Sequence, residues 1–231
     1  MPTEIFFYRD PAGHCPVQEF FDRLSRKDLA RCLSQIDLLE GDDLPTEIDH
    51  ALDDTPLHVL TARSARARYR FVFLRSGEQT VLLDANQGKV SKAQRSDSII
   101  QEALAEQADG GIAAERLKSH REYVAERTLS DATLAQAYAR ARENAQFALA
   151  FIRLRHAAGL TTQALAERTG LTQQRIASVE RGRLPKLSTL RVLVDALQAR
   201  VVIAPGTGVA IEPYAPAKRP PKSKRSAAGG D

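Results

Sequence analysis

LTTQALAERTGLTQQRIASVERG, residues 160–182, decides how the second half of this chain folds. Thr161 is placed to cap one helix, with Leu165 and Ala166 on its inner side. Gly170 supplies a left-handed turn, and Thr172 caps the next helix where it must begin. In that helix Ile176 and Val179, three residues apart, face inward and send Gln173, Gln174, Arg175 and Ser178 outward. A small residue at 166 lets the two helices cross closely. Glutamine pairs bidentately with adenine and arginine with guanine, so the outward set has the chemistry of base-edge reading in a major groove. Arg181, Arg183 and Lys186 beside it suit phosphates, which position a protein on DNA without specifying sequence.

Around this stretch, residues 147–203 resemble the Xre/Cro-type helix-turn-helix family. The likeness is carried by Arg153-Leu154-Arg155-His156-Ala157-Ala158-Gly159-Leu160-Thr161, Leu165-Ala166-Glu167-Arg168, Gly170-Leu171-Thr172-Gln173 and Glu180-Arg181-Gly182. Family members usually follow the capping Thr with a Gln that clamps a phosphate. This chain has Thr162 first, so the resemblance implies a clamp shifted to Gln163.

Working toward the N-terminus, Phe147–Ala158 reads as a helix preceding the motif, and residues 112–127 and 130–145 as two more, with Ser130 and Thr133 at a helix start. Thr162–Thr169, Thr172–Arg181 and Ser188–Gln198 complete an all-helical set, followed by a short apolar run, Arg200–Ala204. From Pro205 the composition shifts to Pro, Gly, Lys and Ala, which predicts a disordered basic tail. Asp109-Gly110-Gly111 is the strongest boundary signal. The expected units are therefore 1–109, an arm at 110–146, a DNA-binding unit at 147–204 and the tail at 205–231.

The first unit reads β-α-β-β-β-α. Strands are expected at Glu4–Tyr8, Leu57–Ala62, Tyr69–Leu74 and Thr80–Asp84, with a hairpin turn at Ser76-Gly77-Glu78. Apolar spacing from Val17 to Glu40 predicts one helix, or two joined near Ser25, and another helix spans Asp97 to about Ala108. The fold class is α+β: a small antiparallel sheet with helices, then a helical DNA-binding unit.

Charge separates the halves. Residues 1–109 hold 13 basic against 19 acidic side chains, and the remainder 20 against 10, behind an overall net charge of +4. Within the acidic half Arg63, Arg66, Arg68 and Arg70 crowd one strand-turn-strand, and alternation puts Arg66, Arg68 and Arg70 on one face. Lys89, Lys92 and Arg95 follow the last strand. Such a cluster suits a phosphodiester and the charge that develops when a 2′-hydroxyl attacks it. Pairing of these arginines with the acidic 40–54 loop is the structural alternative. His14 and His58 are candidate proton carriers, with ordinary surface or half-buried histidines as the alternative.

Residues 4–104 resemble the HigB-type branch of the RelE/ParE toxin superfamily. The likeness rests on Pro16-Val17-Gln18-Glu19-Phe20, Leu38-Leu39-Glu40, Leu52, Tyr69-Arg70-Phe71-Val72-Phe73 and Val81-Leu82-Leu83. It implies an mRNA-cleaving fold, commonly acting on the ribosome with basic residues and no metal, in which Arg66, Arg68, Arg70, Lys89 and Lys92 are the catalytic set. Asp84 stands where the family often has His, and Val59-Leu60-Thr61 where it often has Glu-Leu-Arg. Residues 117–204 look like a HigA-like antitoxin, with its arm in the Tyr123–Asn144 region.

Together these readings describe a toxin and its antitoxin in one polypeptide: a homodimer on operator DNA of its own promoter, with mRNA and the ribosome as partners of the first unit. Residues 112–145 are expected to lie across the Arg66–Arg70 and Lys89–Lys92 face. The alternative is a repressor whose first unit is catalytically dead and serves dimerisation or co-regulation. Two cysteines, Cys15 and Cys32, lack metal-finger spacing, so neither cofactor nor metal is expected. No window approaches eighteen apolar residues and no basic-then-apolar leader opens the chain, which predicts a cytoplasmic protein without a membrane span.

Overall fold

The computed structural model describes residues 3–41, 44–46, 48–52, 55–64, 67–88, 98–204 and 208–214. Of the expected catalytic set, Arg66, Lys89 and Lys92 lie outside these residues, as does Arg95.

The first half is α+β, as its strand and helix periodicities imply. Strand β1 (Glu4–Tyr8) leads into α1 (Pro16–Asp22) and α2 (Arg26–Ile36). The helices divide at Ser25, whose hydroxyl caps α2 by accepting from the Asp28 N–H. A single 3₁₀ turn (Asp37–Glu40) and a short strand, β2 (Asp49–Ala51), follow. β3 (Leu57–Arg63), β4 (Arg68–Ser76) and β5 (Gln79–Gln87) form a meander, with Gly77 at positive φ in its hairpin, and α3 (Ser98–Ala108) comes next.

Beyond Gly111 the chain does not leave this unit. A 3₁₀ turn (Ala114–Arg116) leads to β6 (Leu117–Ser119), which pairs antiparallel with β1. The sheet order is β2-β3-β4-β5-β1-β6, antiparallel except for the parallel β1–β5 pair. A helix was expected over 112–127. Its first part is instead an edge strand, because β1 offers an unpaired row of backbone donors and acceptors and the helix can begin only where Ser119 caps it.

α4 (His120–Ser130) and α5 (Ala132–Ala157) follow, and Asp131 caps α5 by accepting from the Thr133 and Leu134 N–H groups. The two helices expected at 130–145 and 147–158 are thus one 26-residue helix. No glycine or proline interrupts its Ala-rich centre, so nothing stops the hydrogen-bond ladder.

Apolar side chains alternate along β4 and send Tyr69, Phe71 and Phe73 to one face and Val72 and Leu74 to the other. α3 covers the Val72 face through Ile100 and Ala103. α1, α2, α4 and α5 share the Phe71 face, where Tyr123 of α4 packs on Phe7 and Phe21 with ring centroids 5.6 Å from each. Leu134, Ala145, Leu149 and Ile152 of α5 belong to the same core. Among the described residues the arm therefore reaches the opening beside Arg63, Arg68 and Arg70 only at Asn144, rather than lying across that face. Its apolar residues take the aromatic layer, and Arg68 and Arg70 alternate to the other side of β4.

A buried polar cluster fixes this packing. Asp37, only 8% exposed, accepts hydrogen bonds from the Tyr138 hydroxyl (2.6 Å) and pairs with His120 Nε2 (2.8 Å). Arg142 Nε approaches the same carboxylate at 3.8 Å. One side chain of the first unit thus holds both helices of the arm.

The C-terminal region is helical, with α6 (Thr162–Thr169), α7 (Gln173–Glu180) and α8 (Leu187–Leu197). Phe147 and Phe151 of α5 join Leu165, Ile176, Val179 and Leu193 in its core. A hairpin of β7 (Ala199–Ala204) and β8 (Gly208–Pro213) closes that core with Ile211. Residues 208–213, expected within the tail, are thus strand, because alternate side chains of β8 find an apolar surface. No described helix is long and apolar enough to cross a membrane.

Candidate nucleic-acid interface

The helix-turn-helix is built by local chemistry at each joint. The Thr161 hydroxyl accepts from the Ala164 N–H (3.0 Å) and starts α6. Gly170, at φ +66°, ends it, and the Leu171 N–H returns to the Ala166 carbonyl (3.1 Å). Thr172 then starts α7 by accepting from the Arg175 N–H (3.2 Å). Ile176 and Val179 are fully buried against Leu165 and Ala166, which fixes the rotation of α7 about its axis.

That rotation leaves Thr172, Gln173 and Gln174 exposed, and Ser178 half-buried. Arg175 is exposed too, but its Nη2 donates to Thr189 Oγ1 on α8 (2.8 Å), so it braces α7 against α8 rather than extending freely. Gln163 is exposed and donates to Glu167 on its own helix (2.9 Å). Arg181 and Arg183 are exposed on the turn after α7.

One pair here escaped the sequence reading. Arg155, 4% exposed near the end of α5, donates from Nε to Glu180 (2.6 Å) and from Nη1 to the Leu160 carbonyl (2.8 Å). It ties α5 to the end of α7. The signal was an arginine at a position whose helical neighbours are apolar, with a glutamate 25 residues later, a separation no local pattern connects.

In the first half, Arg63 lies directly opposite Arg68 in the β3–β4 register, and Thr61 opposite Arg70. Cross-strand partners share a face, so three guanidinium groups crowd one corner of the sheet. Burial holds Arg63 and Arg70 below the usual arginine pKa. Neighbouring cations push further, Arg68 on both and Arg181 and Arg70 on Arg63. Among the described residues no carboxylate forms an ion pair with Arg63, Arg68 or Arg70. Asp49, from the acidic stretch, instead bonds His58 Nδ1 (2.9 Å) and Arg75 Nη2 (3.0 Å). His58 also stacks on Phe73, on the face opposite Arg70, and His14 is held by Asp10 (3.0 Å). Asp84 stands opposite Val72, on the arginine side of the sheet.

The two sets of cations meet. A cleft of about 1350 Å³ is lined by Lys27, Arg31, Arg63, Arg68 and Arg70 on one wall and by Ser178, Arg181 and Arg183 on the other. Asp28 is the sole carboxylate among its described lining residues. Sequence reasoning placed Arg63, Arg68 and Arg70 apart from Ser178, Arg181 and Arg183 and did not name Lys27 or Arg31, because nothing local shows that residues 63–70 and 181–183 share one opening.

This geometry belongs to a double-stranded DNA reader: a capped helix-turn-helix with two exposed glutamines on its second helix and arginines at its end. Residues 146–202 match the family described as helix-turn-helix domain, which makes this part of the chain a DNA-binding element of transcription-regulator type. No curated protein and no solved structure matches the chain.

Proposed function

We propose that the chain is a toxin–antitoxin pair merged in one polypeptide. Its helix-turn-helix represses transcription from its own promoter as a homodimer, and its mRNA-interferase-like unit is held silent. The observation that carries this reading is the seam between the halves. β6 completes the sheet of the first unit, and α4 and α5 fill its apolar face, as a bound partner would. In this reading the restraint on RNA cleavage does not come from covering the arginines. The helix-turn-helix forms the opposite wall of their cleft and so narrows the approach for anything as large as a ribosome.

The test uses the whole chain. Footprinting on DNA upstream of its reading frame is expected to show protected half-sites about one helical turn apart. Induction of the wild type leaves growth unaffected, whereas Leu134→Asp, which loosens the arm, arrests growth and shortens mRNA. Adding Arg68→Ala and Arg70→Ala to that variant restores growth. Absence of sequence-specific protection overturns the repressor reading.

A second reading is favoured by the histidines. His14 and His58 are both engaged by aspartates, and Asp84 faces the side where an RNA phosphate would sit. That chemistry suits a first unit that serves regulation alone. Soluble Leu134→Asp protein that leaves mRNA intact would select it.

A further inference from the structure

The charge in the cleft exceeds what folding requires of either wall. Arg63 and Arg68 are exposed, Arg70 is half-buried, and none of the three is neutralised by a described carboxylate. Like charges held this close repel, and an anion between them relieves that repulsion. The opposing wall adds Arg181 and Arg183, which are not on a loose loop. Between them Gly182 sits at φ +78°, where a Cβ would lie 3.3 Å from the Asn144 carbonyl oxygen, so the turn is pressed onto α5. α5 in turn carries Leu149 and Ile152 into the sheet core and Phe147 and Phe151 into the DNA-binding core. The two walls are therefore built on one helix and keep their spacing without a ligand.

The cleft also opens beside Ser178, on the flank of the helix that presents Gln173 and Gln174. A duplex seated on that helix would bring its sugar-phosphate backbone toward this flank, since phosphate contacts lie beside the reading helix. We propose that the cleft is a DNA-backbone site, in which Arg63, Arg68 and Arg70 of the sheet unit hold the phosphates flanking the base pairs read by α7. The inference rests on the DNA-binding reading of the helix-turn-helix and extends it: the sheet unit becomes part of the operator grip. Duplex DNA is favoured over an RNA strand because Ser178 belongs to the reading helix and Arg181 and Arg183 to the turn that ends it.

Backbone contacts are independent of sequence, so random-sequence duplexes serve as the probe. Fluorescence anisotropy of the full chain is measured on duplexes of about one and about three helical turns. The proteins are wild type, Arg63→Ala/Arg68→Ala, and Arg63→Lys/Arg68→Lys. On the longer duplex the alanine variant is expected to lose roughly tenfold in affinity, and its slope of log K against log salt to fall by about 2 between roughly 50 and 200 mM, near 0.9 per lost phosphate. The lysine variant keeps the slope, and the short duplex separates wild type and alanine variant little. An alanine variant with wild-type affinity and slope on the longer duplex overturns the proposal. So does a loss confined to a single-stranded RNA oligonucleotide with duplex binding intact, which assigns the cleft to RNA. Wild-type protein that binds no duplex defeats the DNA-binding reading itself, whereas wild-type binding with an unaffected alanine variant defeats only the backbone site.

Discussion

Two groups of arginines lie close together and are treated in opposite ways. Arg155 is almost wholly enclosed, with its guanidinium divided between the Glu180 carboxylate and the Leu160 carbonyl. Arg63, Arg68, Arg181 and Arg183 are exposed, and face other cations across an open cleft. Burying a charge is tolerable only when its donors are matched, and Arg155 meets that condition. The cleft arginines meet a different one: they remain hydrated and unmatched, and their free energy improves only when an anion arrives. The difference teaches that paired, enclosed charge in this molecule sets its shape, whereas the clustered, unpaired charge is left facing solvent, as the proposed backbone site requires.

The largest effect expected from that contrast comes from breaking the enclosed pair. Arg155→Ala leaves Glu180 half-enclosed without its partner and is expected to cost about 3–5 kcal/mol, read as a fall in urea midpoint with loss of the helix-turn-helix signal. Arg68→Ala in the same assay leaves the midpoint unchanged or slightly raised. A reversal of that order would undo the comparison. Next is Asp37→Ala, which strips Tyr138 and His120 of their shared acceptor. A cost of about 2–3 kcal/mol is expected, with faster amide exchange in α4, since orphaned buried donors lose their hydration without replacement. Equal exchange in variant and wild type would show that the arm is held by its apolar contacts alone.

A smaller effect sharpens the binding side. Gln173→Ala with Gln174→Ala is expected to reduce discrimination between operator and random DNA by about 1–3 kcal/mol per lost base contact, while non-specific affinity stays as it was. Competition titrations against random duplex check this. The smallest effect is a pH dependence. Burial, then the neighbouring Asp37, pushes the Tyr138 hydroxyl far above its usual pKa, and burial raises Tyr123 to about 12. A phenol that ionises later in the folded than in the unfolded chain gives stability that is complete below its ordinary value near 10 and is lost as pH rises beyond it. The urea midpoint should hold up to about pH 10 and then decline, and Tyr138→Phe should flatten that decline.

What could be read from the sequence divides along the same line between local and distant. Thr161, Gly170 and Thr172 act on residues within four positions of themselves, so both helices of the motif and the rotation of α7 were legible. The strands at Leu57–Ala62, Tyr69–Leu74 and Thr80–Asp84 showed in their apolar and β-branched content and in the hairpin signal at Ser76-Gly77-Glu78. β6 did not, because its three residues carry no pattern of their own and their partner is β1, more than 100 residues away. The side of the sheet taken by the arm was equally hidden, since it depends on Tyr123 and Leu134 meeting Phe7 and Phe21, which no spacing encodes. Arg155 and Glu180 each belonged to the helix-turn-helix likeness, but their pairing across 25 residues did not show. The cleft joins Arg63, Arg68 and Arg70 to Ser178, Arg181 and Arg183, which the sequence reading assigned to separate tasks, and adds Lys27 and Arg31, which it did not name.

The seam at β6 has a consequence for how such a molecule can be dismantled. A protease cutting at the exposed Gly110-Gly111 would sever the backbone but leave Leu117–Ser119 laced to β1 and Tyr123 lodged among its rings. The nicked product would elute from a sizing column as one particle.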